Sequence, residues 1–283
     1  MNLKDILVFL DAGAAGEERL RLAMQIARDH QAYLNAAFLL DPAASAPSSQ
    51  GATGFGPAAS PLIASATDIL PSAMRAETAE QQFRDAVRAV RAQGDWYPLE
   101  RSDTAGLITL AQAADLIIMG QVNPHARLVP AWRPEEIVIA CGRPVLMVPY
   151  TGRFTQIGRR VLIAWDGSRE AVRALNDALP VIGAAEDVMV IAVRPRARDF
   201  ERDRLSMERI VRHLARHGIT AHAVEAVQTG IAISDVLLSS AADLSADLIV
   251  AGAYHHSPLR ESVIGGVSRD LFHHMTVPVL MSH

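Results

Sequence analysis

The run Asp115-Leu116-Ile117-Ile118-Met119-Gly120 recurs 132 positions later as Asp247-Leu248-Ile249-Val250-Ala251-Gly252, and Pro144-Val145-Leu146-Met147 recurs 134 positions later as Pro278-Val279-Leu280-Met281. A chain that repeats its apolar runs in the same order has two similar units to bury, and this constrains the fold more than any other feature. The openings match as well: Lys4-Asp5-Ile6-Leu7-Val8-Phe9-Leu10-Asp11 resembles Arg160-Val161-Leu162-Ile163-Ala164-Trp165-Asp166, at an offset of 155. Asp11 lies 109 residues before Gly120, whereas Asp166 lies 86 before Gly252, so the first half carries 23 more residues. The uncharged stretch from Pro42 to Thr67 accounts for them. Its four prolines, three glycines and several serines predict a flexible inserted loop, 42–67. The resulting division is 1–150 and 151–283.

Within each half, short apolar runs alternate with amphipathic stretches, the pattern of β/α units building a parallel sheet covered on both faces. Strands are predicted near 3–10, 33–40, 95–100, 115–119 and 144–149, and again near 159–165, 187–194, 220–227, 247–251 and 277–281. Leu20, Ala23, Met24 and Ala27 form one helical stripe; Val172, Leu175, Leu179 and Ile182 form another, following Ser168 as N-cap. The last helix of the first half should stop at Gly142, before Pro144. Right-handed crossovers restrict each half to a few doubly wound orders, flavodoxin-like or the related 3-2-1-4-5, with the ligand crevice beyond the carboxyl ends of strands one and four.

Composition sets the outer bounds. Lys and Arg total 27 against 31 Asp and Glu, a net charge of −4, which argues against a general nucleic-acid or anionic-membrane binder. The single cysteine, Cys141, forms no internal disulfide and predicts a reducing, cytoplasmic setting, where it is a buried, inert thiol. Asp5 precedes the first apolar run and no small-residue cleavage site follows, against a signal peptide. No Walker-type Gly-Lys-Ser/Thr, Gly-x-Ser-x-Gly or His-Glu-x-x-His occurs, and Gly54-Phe55-Gly56-Pro57-Ala58-Ala59 matches a dinucleotide fingerprint only superficially, with no strand before it. Five of the ten histidines fall in the last 29 residues, but adjacent ones on a helix diverge by about 100°, so no metal is expected. Trp96 and Trp165 are expected to pack rather than to stack on a ligand.

The informative residues sit at the two strand ends. Strand one of the second half runs into Asp166-Gly167-Ser168, and strand four into Gly252-Ala253-Tyr254-His255, followed by Gly265-Gly266-Val267-Ser268. Here the chain resembles the universal stress protein family in a tandem two-domain form, whose nucleotide motif is Gly, two residues, Gly, nine residues, then Gly and Ser or Thr. Gly252 and Gly265 keep their places, His255 stands at the second Gly, Gly266 stands at the Ser or Thr, and Ser268 is a hydroxyl two positions late. The resemblance implies ATP or ADP as ligand. Glycines at 252, 265 and 266 would admit backbone N–H groups to phosphate at the start of the helix carrying Val267, Leu271 and Met275. Asp166 would accept from ribose or the adenine amine, and Val193, by the same resemblance, would offer backbone groups to adenine. His255 either obstructs the phosphates or donates to them. The plainer alternative stays open: the glycines serve tight turns and Asp166 caps the next helix. Another small anion is a third reading.

The first half keeps Asp11 and Gly120 but has Asn123-Pro124 and Arg133-Pro134 at the other motif positions, and Pro134 has no N–H to give. It is expected to be a structural partner. The functional expectation is an adenine-nucleotide-binding sensor or regulator in a stress response, not a turnover enzyme, with no catalytic residue assigned. The alternative is a nucleotide-free interaction module, with an enzyme on the same fold disfavoured by the absence of a phosphate loop after strand one. The resemblance also implies an internal pseudo-dimer in which the last strands pair antiparallel, Val145 and Met147 facing Val279 and Met281. A further homodimer remains open.

Overall fold

Among the residues described in the computed structural model, ten strands form one sheet in the order β3-β2-β1-β4-β5-β10-β9-β6-β7-β8. The structure describes residues 2–11, 13–40, 72–100, 103–123, 134–194, 200–228, 230–253 and 266–283. The predicted loop 42–67, and His255 and Gly265 of the predicted site, lie outside the described residues.

The first five strands are β1 (Asp5–Leu10), β2 (Tyr33–Leu40), β3 (Trp96–Glu100), β4 (Leu116–Gly120) and β5 (Val145–Val148). The second five are β6 (Arg160–Ala164), β7 (Asp187–Arg194), β8 (Ala221–Val227), β9 (Leu248–Gly252) and β10 (Val279–Ser282). Each set has the expected 3-2-1-4-5 order and all its neighbours are parallel. Crossover helices are α1 (Ala14–His30), α2 (Ser72–Ala89), α3 (Thr104–Gln112) and α4 (Pro134–Ala140) in the first half. Their counterparts are α5 (Arg169–Ile182), α6 (Phe200–Arg216), α7 (Ile233–Asp243) and α8 (Gly266–His274).

Strand alternation sorts the core into two layers. Ile6, Val8 and Leu10 join Leu22, Ala23, Phe83, Leu175 and Leu214, under α1, α2, α5 and α6. Leu7 and Phe9 join Leu107, Ile137, Leu237 and Leu271, under α3, α4, α7 and α8. Both layers run through the middle of the sheet. There β5 and β10 pair antiparallel, with Val145 opposite Met281, Leu146 opposite Leu280 and Met147 opposite Val279, all buried. This is the register predicted for the last strands.

The repeated Asp-Leu-Ile motif has a shared task. Asp115 accepts hydrogen bonds from the Lys4 and Asp5 amides at 2.7 and 3.1 Å, and Asp247 accepts from Gly158 and Arg159 at 2.8 and 3.0 Å. Each carboxylate thereby fastens the start of strand four to the start of strand one. Burial raises the Asp247 carboxyl above its usual range, against the opposing pull of the amides of Arg159, Gly158 and Arg160.

The predicted stripe on α5 is corrected at one position. Val172 is exposed, and the buried face is Ala171, Ala174, Leu175, Ala178 and Ile182. Three alanines let the helix approach the sheet closely, and the 3.6-residue period then carries Val172 off the buried face. Ser168 caps α5 as predicted, its hydroxyl accepting from the Ala171 amide at 3.1 Å.

Candidate functional site

A cleft opens at the carboxyl ends of β6 and β9, the topological switch point of the second half. Six predicted residues line it together: Asp166, Val193, Gly252, Gly266, Val267 and Ser268. They come from four segments that the parallel topology brings to one edge of the sheet. Val193 lies near the end of β7, Gly252 ends β9, and Gly266, Val267 and Ser268 form the first turn of α8.

Asp166 follows β6 in a turn whose Gly167 has a φ of +77°, a conformation other residues adopt only with strain. The exposed Asp166 carboxylate accepts the Ser168 amide at 2.9 Å, holding the turn ahead of the cap on α5. Arg194 donates from its guanidinium to the Asp166 carbonyl oxygen at 3.0 Å. The cleft therefore has a carboxylate and a guanidinium at one rim and the start of α8 at the other. Amides in the first turn of a helix have no intrahelical acceptor and face a positive dipole end, so this rim suits an anion. Ile191, Ile233, Leu237 and Leu271 supply an apolar floor between them.

The sequence did not point to Arg194, Ile233 or Leu237. An arginine after a buried strand gives no hint of the side to which it turns, and Ile233 and Leu237 carry an ordinary core pattern. Trp165 is buried, lines the cleft, and donates its indole N–H to Ser206 Oγ at 3.1 Å, so it serves both as packing and as wall. Gly252 has a role beyond the predicted one: a Cβ there would lie 2.6 Å from the Ala171 amide nitrogen and 2.7 Å from the Glu170 carbonyl carbon. Close packing of α5 against β9 thus requires glycine at this position. Among the described residues, a Cβ at Gly266 would meet nothing within 4 Å.

The corresponding place in the first half is built differently. Arg19, on α1, donates through Nε to the Phe9 carbonyl oxygen at 3.0 Å and pairs through Nη2 with Asp11 Oδ1 at 2.7 Å. The arginine side chain is 4% exposed. A Cβ on Gly120 would lie 2.0 Å from Arg19 Nη1, so that glycine makes room for a guanidinium.

The histidines at the carboxyl end bond to the backbone, His274 Nδ1 with the Asp270 carbonyl at 3.1 Å and His283 Nδ1 with that of Ala253 at 3.0 Å. Among the described residues no three His, Cys, Asp or Glu side chains are grouped to hold a metal. No helix among them is long and apolar enough to cross a membrane. Cys141 is buried, and burial raises its thiol pKa, so it is held in the protonated, unreactive form.

Fold and cleft together define a doubly wound α/β protein with a ligand crevice at the switch point of its second half. Residues 158–283 match the model of the universal stress protein family. A universal stress protein from Archaeoglobus fulgidus DSM 4304 has a similar structure over 98% of this chain and 97% of its own, with a TM-score of 0.67 and 15% identity. PA1789 from Pseudomonas aeruginosa PAO1, described as functionally unknown, is similar over 99% of this chain and 92% of its own, with a TM-score of 0.62 and 17% identity. At such identities the likeness concerns the fold. No curated protein matches the chain.

Proposed function

We propose that the second half binds an adenine nucleotide in the cleft between β6 and β9, and that the protein uses this binding to sense or regulate in a stress response rather than to turn a substrate over. The observation that carries the reading is the convergence of Asp166, Val193, Gly252, Gly266, Val267 and Ser268 on one cleft, although they are spread over more than 100 residues of sequence. The apolar floor of Ile191, Ile233, Leu237 and Leu271 suits a purine, the Asp166 carboxylate at the rim suits ribose hydroxyls, and the first turn of α8 suits phosphate oxygens. Among the described lining residues Asp166 is the one acid, and a lone carboxylate is a poor basis for phosphoryl transfer, which needs held metal ions and a positioned nucleophile.

The second reading is a nucleotide-free interaction module. It is favoured by Gly252, whose lack of a side chain packing alone explains, and by Asp166, whose carboxylate already serves its own turn. Mass spectrometry of small molecules released on denaturing the purified protein, with calorimetric titration of ATP and ADP, separates the two. Bound or titratable adenine nucleotide supports the first reading. Its absence in both measurements supports the second.

A further inference from the structure

His213 and His217 stand four residues apart at the carboxyl end of α6, where the helical period puts them on one face. Their ring centroids are 4.7 Å apart with the planes inclined at 65°. The ring contact shows that the spacing is kept through His217, whose amide donates to the Leu214 carbonyl at 2.9 Å. His217 is exposed, and Nε2 of the partly buried His213 has no hydrogen-bond partner among the described residues. A neutral imidazole carries one bare nitrogen lone pair, and two imidazoles one helical turn apart can offer theirs to a single metal ion. Metal–nitrogen bonds of about 2.0–2.1 Å place each ring centre roughly 3.2 Å from a bound ion. Centres 4.7 Å apart then subtend roughly 95° at that ion, an angle that neighbouring ligands take in tetragonal coordination. The negative end of the α6 dipole lies at these residues and favours a cation, while Arg209, Arg212 and Arg216 on the same helix oppose it and moderate the affinity.

We propose that His213 and His217 form a two-imidazole site for a first-row divalent transition ion, Cu2+, Ni2+ or Zn2+, with water completing the coordination. Each ring turns about its Cβ–Cγ bond to aim a nitrogen at the shared point, and Nε2 of His213 gives up no hydrogen bond to a described residue in doing so. Imidazole selects these ions over Mg2+ and Ca2+, which prefer oxygen ligands. α6 leads from the carboxyl end of β7 to the amino end of β8, so the pair lies at the opposite edge of the sheet from the candidate nucleotide cleft. Its test therefore does not depend on whether the second half binds nucleotide.

Titration of the full chain with Cu2+ and Zn2+, followed by calorimetry, tests the site. The tightest binding event should weaken roughly 10- to 100-fold in His213→Gln and equally in His217→Gln, because the second imidazole of a pair binds as an intramolecular ligand. The double variant should lose little more than either single one. With one equivalent of Cu2+, electron paramagnetic resonance should show two imidazole nitrogens in the wild type and fewer in each variant. His273→Gln, which removes a histidine of an adjacent pair whose rings diverge on α8, should leave both readouts as in the wild type. Mg2+ should neither bind nor compete. Tightest-site affinity unchanged by His213→Gln or by His217→Gln, an equal loss in His273→Gln, or competition by Mg2+ would each overturn the proposal. Should His213→Gln fail to fold, His217→Gln, at an exposed position, still decides it.

Discussion

The side-chain amide of Gln121 donates to the carbonyl oxygen of Phe272 at 2.8 Å, joining the two halves through a residue that is 7% exposed. The same nitrogen lies 3.0 Å from the His273 carbonyl, and Gln121 Oε1 accepts the Tyr150 amide at 3.3 Å. Gln121 follows β4, and the carbonyls it serves are at the end of α8, the helix whose first turn lines the cleft. The first half thus supports one wall of the candidate site.

Gln121→Leu tests that support. It removes the donor to the Phe272 and His273 carbonyls, the first of these bonds buried, and a lost buried partner typically costs about 1–3 kcal/mol. The urea midpoint should fall accordingly, with the denaturant slope unchanged. An unaltered midpoint would show that water or a rearranged side chain replaces the amide at no cost.

The seam itself rests on apolar contact. Leu146 and Leu280 face one another across β5 and β10 and are wholly buried. Leu280→Ala should destabilise by about 2–5 kcal/mol, the usual range for a buried leucine truncated in a packed core. Replacing both leucines with Asp should separate or unfold the halves, because two unpaired carboxylates would then oppose each other in the core. Denaturation of the double variant along with light scattering checks this, and a native-like melt would contradict it.

The two aspartates that begin the crevices should differ in their effect on ligand. Asp166→Ala removes a carboxylate from the candidate cleft, and one lost hydrogen-bonding partner is worth about 1–3 kcal/mol, so ATP should bind roughly 5- to 150-fold more weakly. Asp11 is committed to Arg19, so Asp11→Ala should leave ATP binding unchanged while lowering the melting temperature. Calorimetry showing equal losses in affinity would remove the asymmetry between the halves.

Much of this architecture was legible in the sequence because it rests on pattern. The strands are runs of apolar residues with defined ends, and all ten lie within two residues of their predicted limits. The facing of Val145 and Met147 with Met281 and Val279 followed from the repeated Pro-Val-Leu-Met and the family's strand pairing. Of the site, the residues at strand ends and at the start of α8 were readable, since topology places such positions together. Phe9 and Arg19 were not, although aligning Asp11 with Asp166 sets them beside Ala164 and Ala174. Both have ordinary roles in such elements, an aromatic in a buried strand and an arginine in a helix, and only three-dimensional placement shows that Phe9 packs under α3 and α4 while Arg19 bonds the Phe9 carbonyl and Asp11 from α1. Val172 misled for a related reason: periodicity favours the larger side chain, whereas the helix approaches the sheet through its alanines.

His30 gives the fold a dependence on pH. It lies at the carboxyl end of α1, half-buried, and its Nδ1 is buried with no hydrogen-bond partner among the described residues. Burial lowers its pKa below the ordinary 6.5; Asp29 pulls the other way, while the chain's amino terminus and Lys4 lower it further. In the folded protein the ring therefore takes up a proton less readily than it does in the unfolded chain. The unfolded state gains the proton first as the pH falls, so the stability is fully present above about 6.5 and is lost between that value and the lowered one. Urea midpoints measured at pH 8 and pH 5 should fall for the wild type, and His30→Leu, which cannot take up a proton there, should lose less over the same interval. Equal losses in the two proteins would place the acid sensitivity elsewhere.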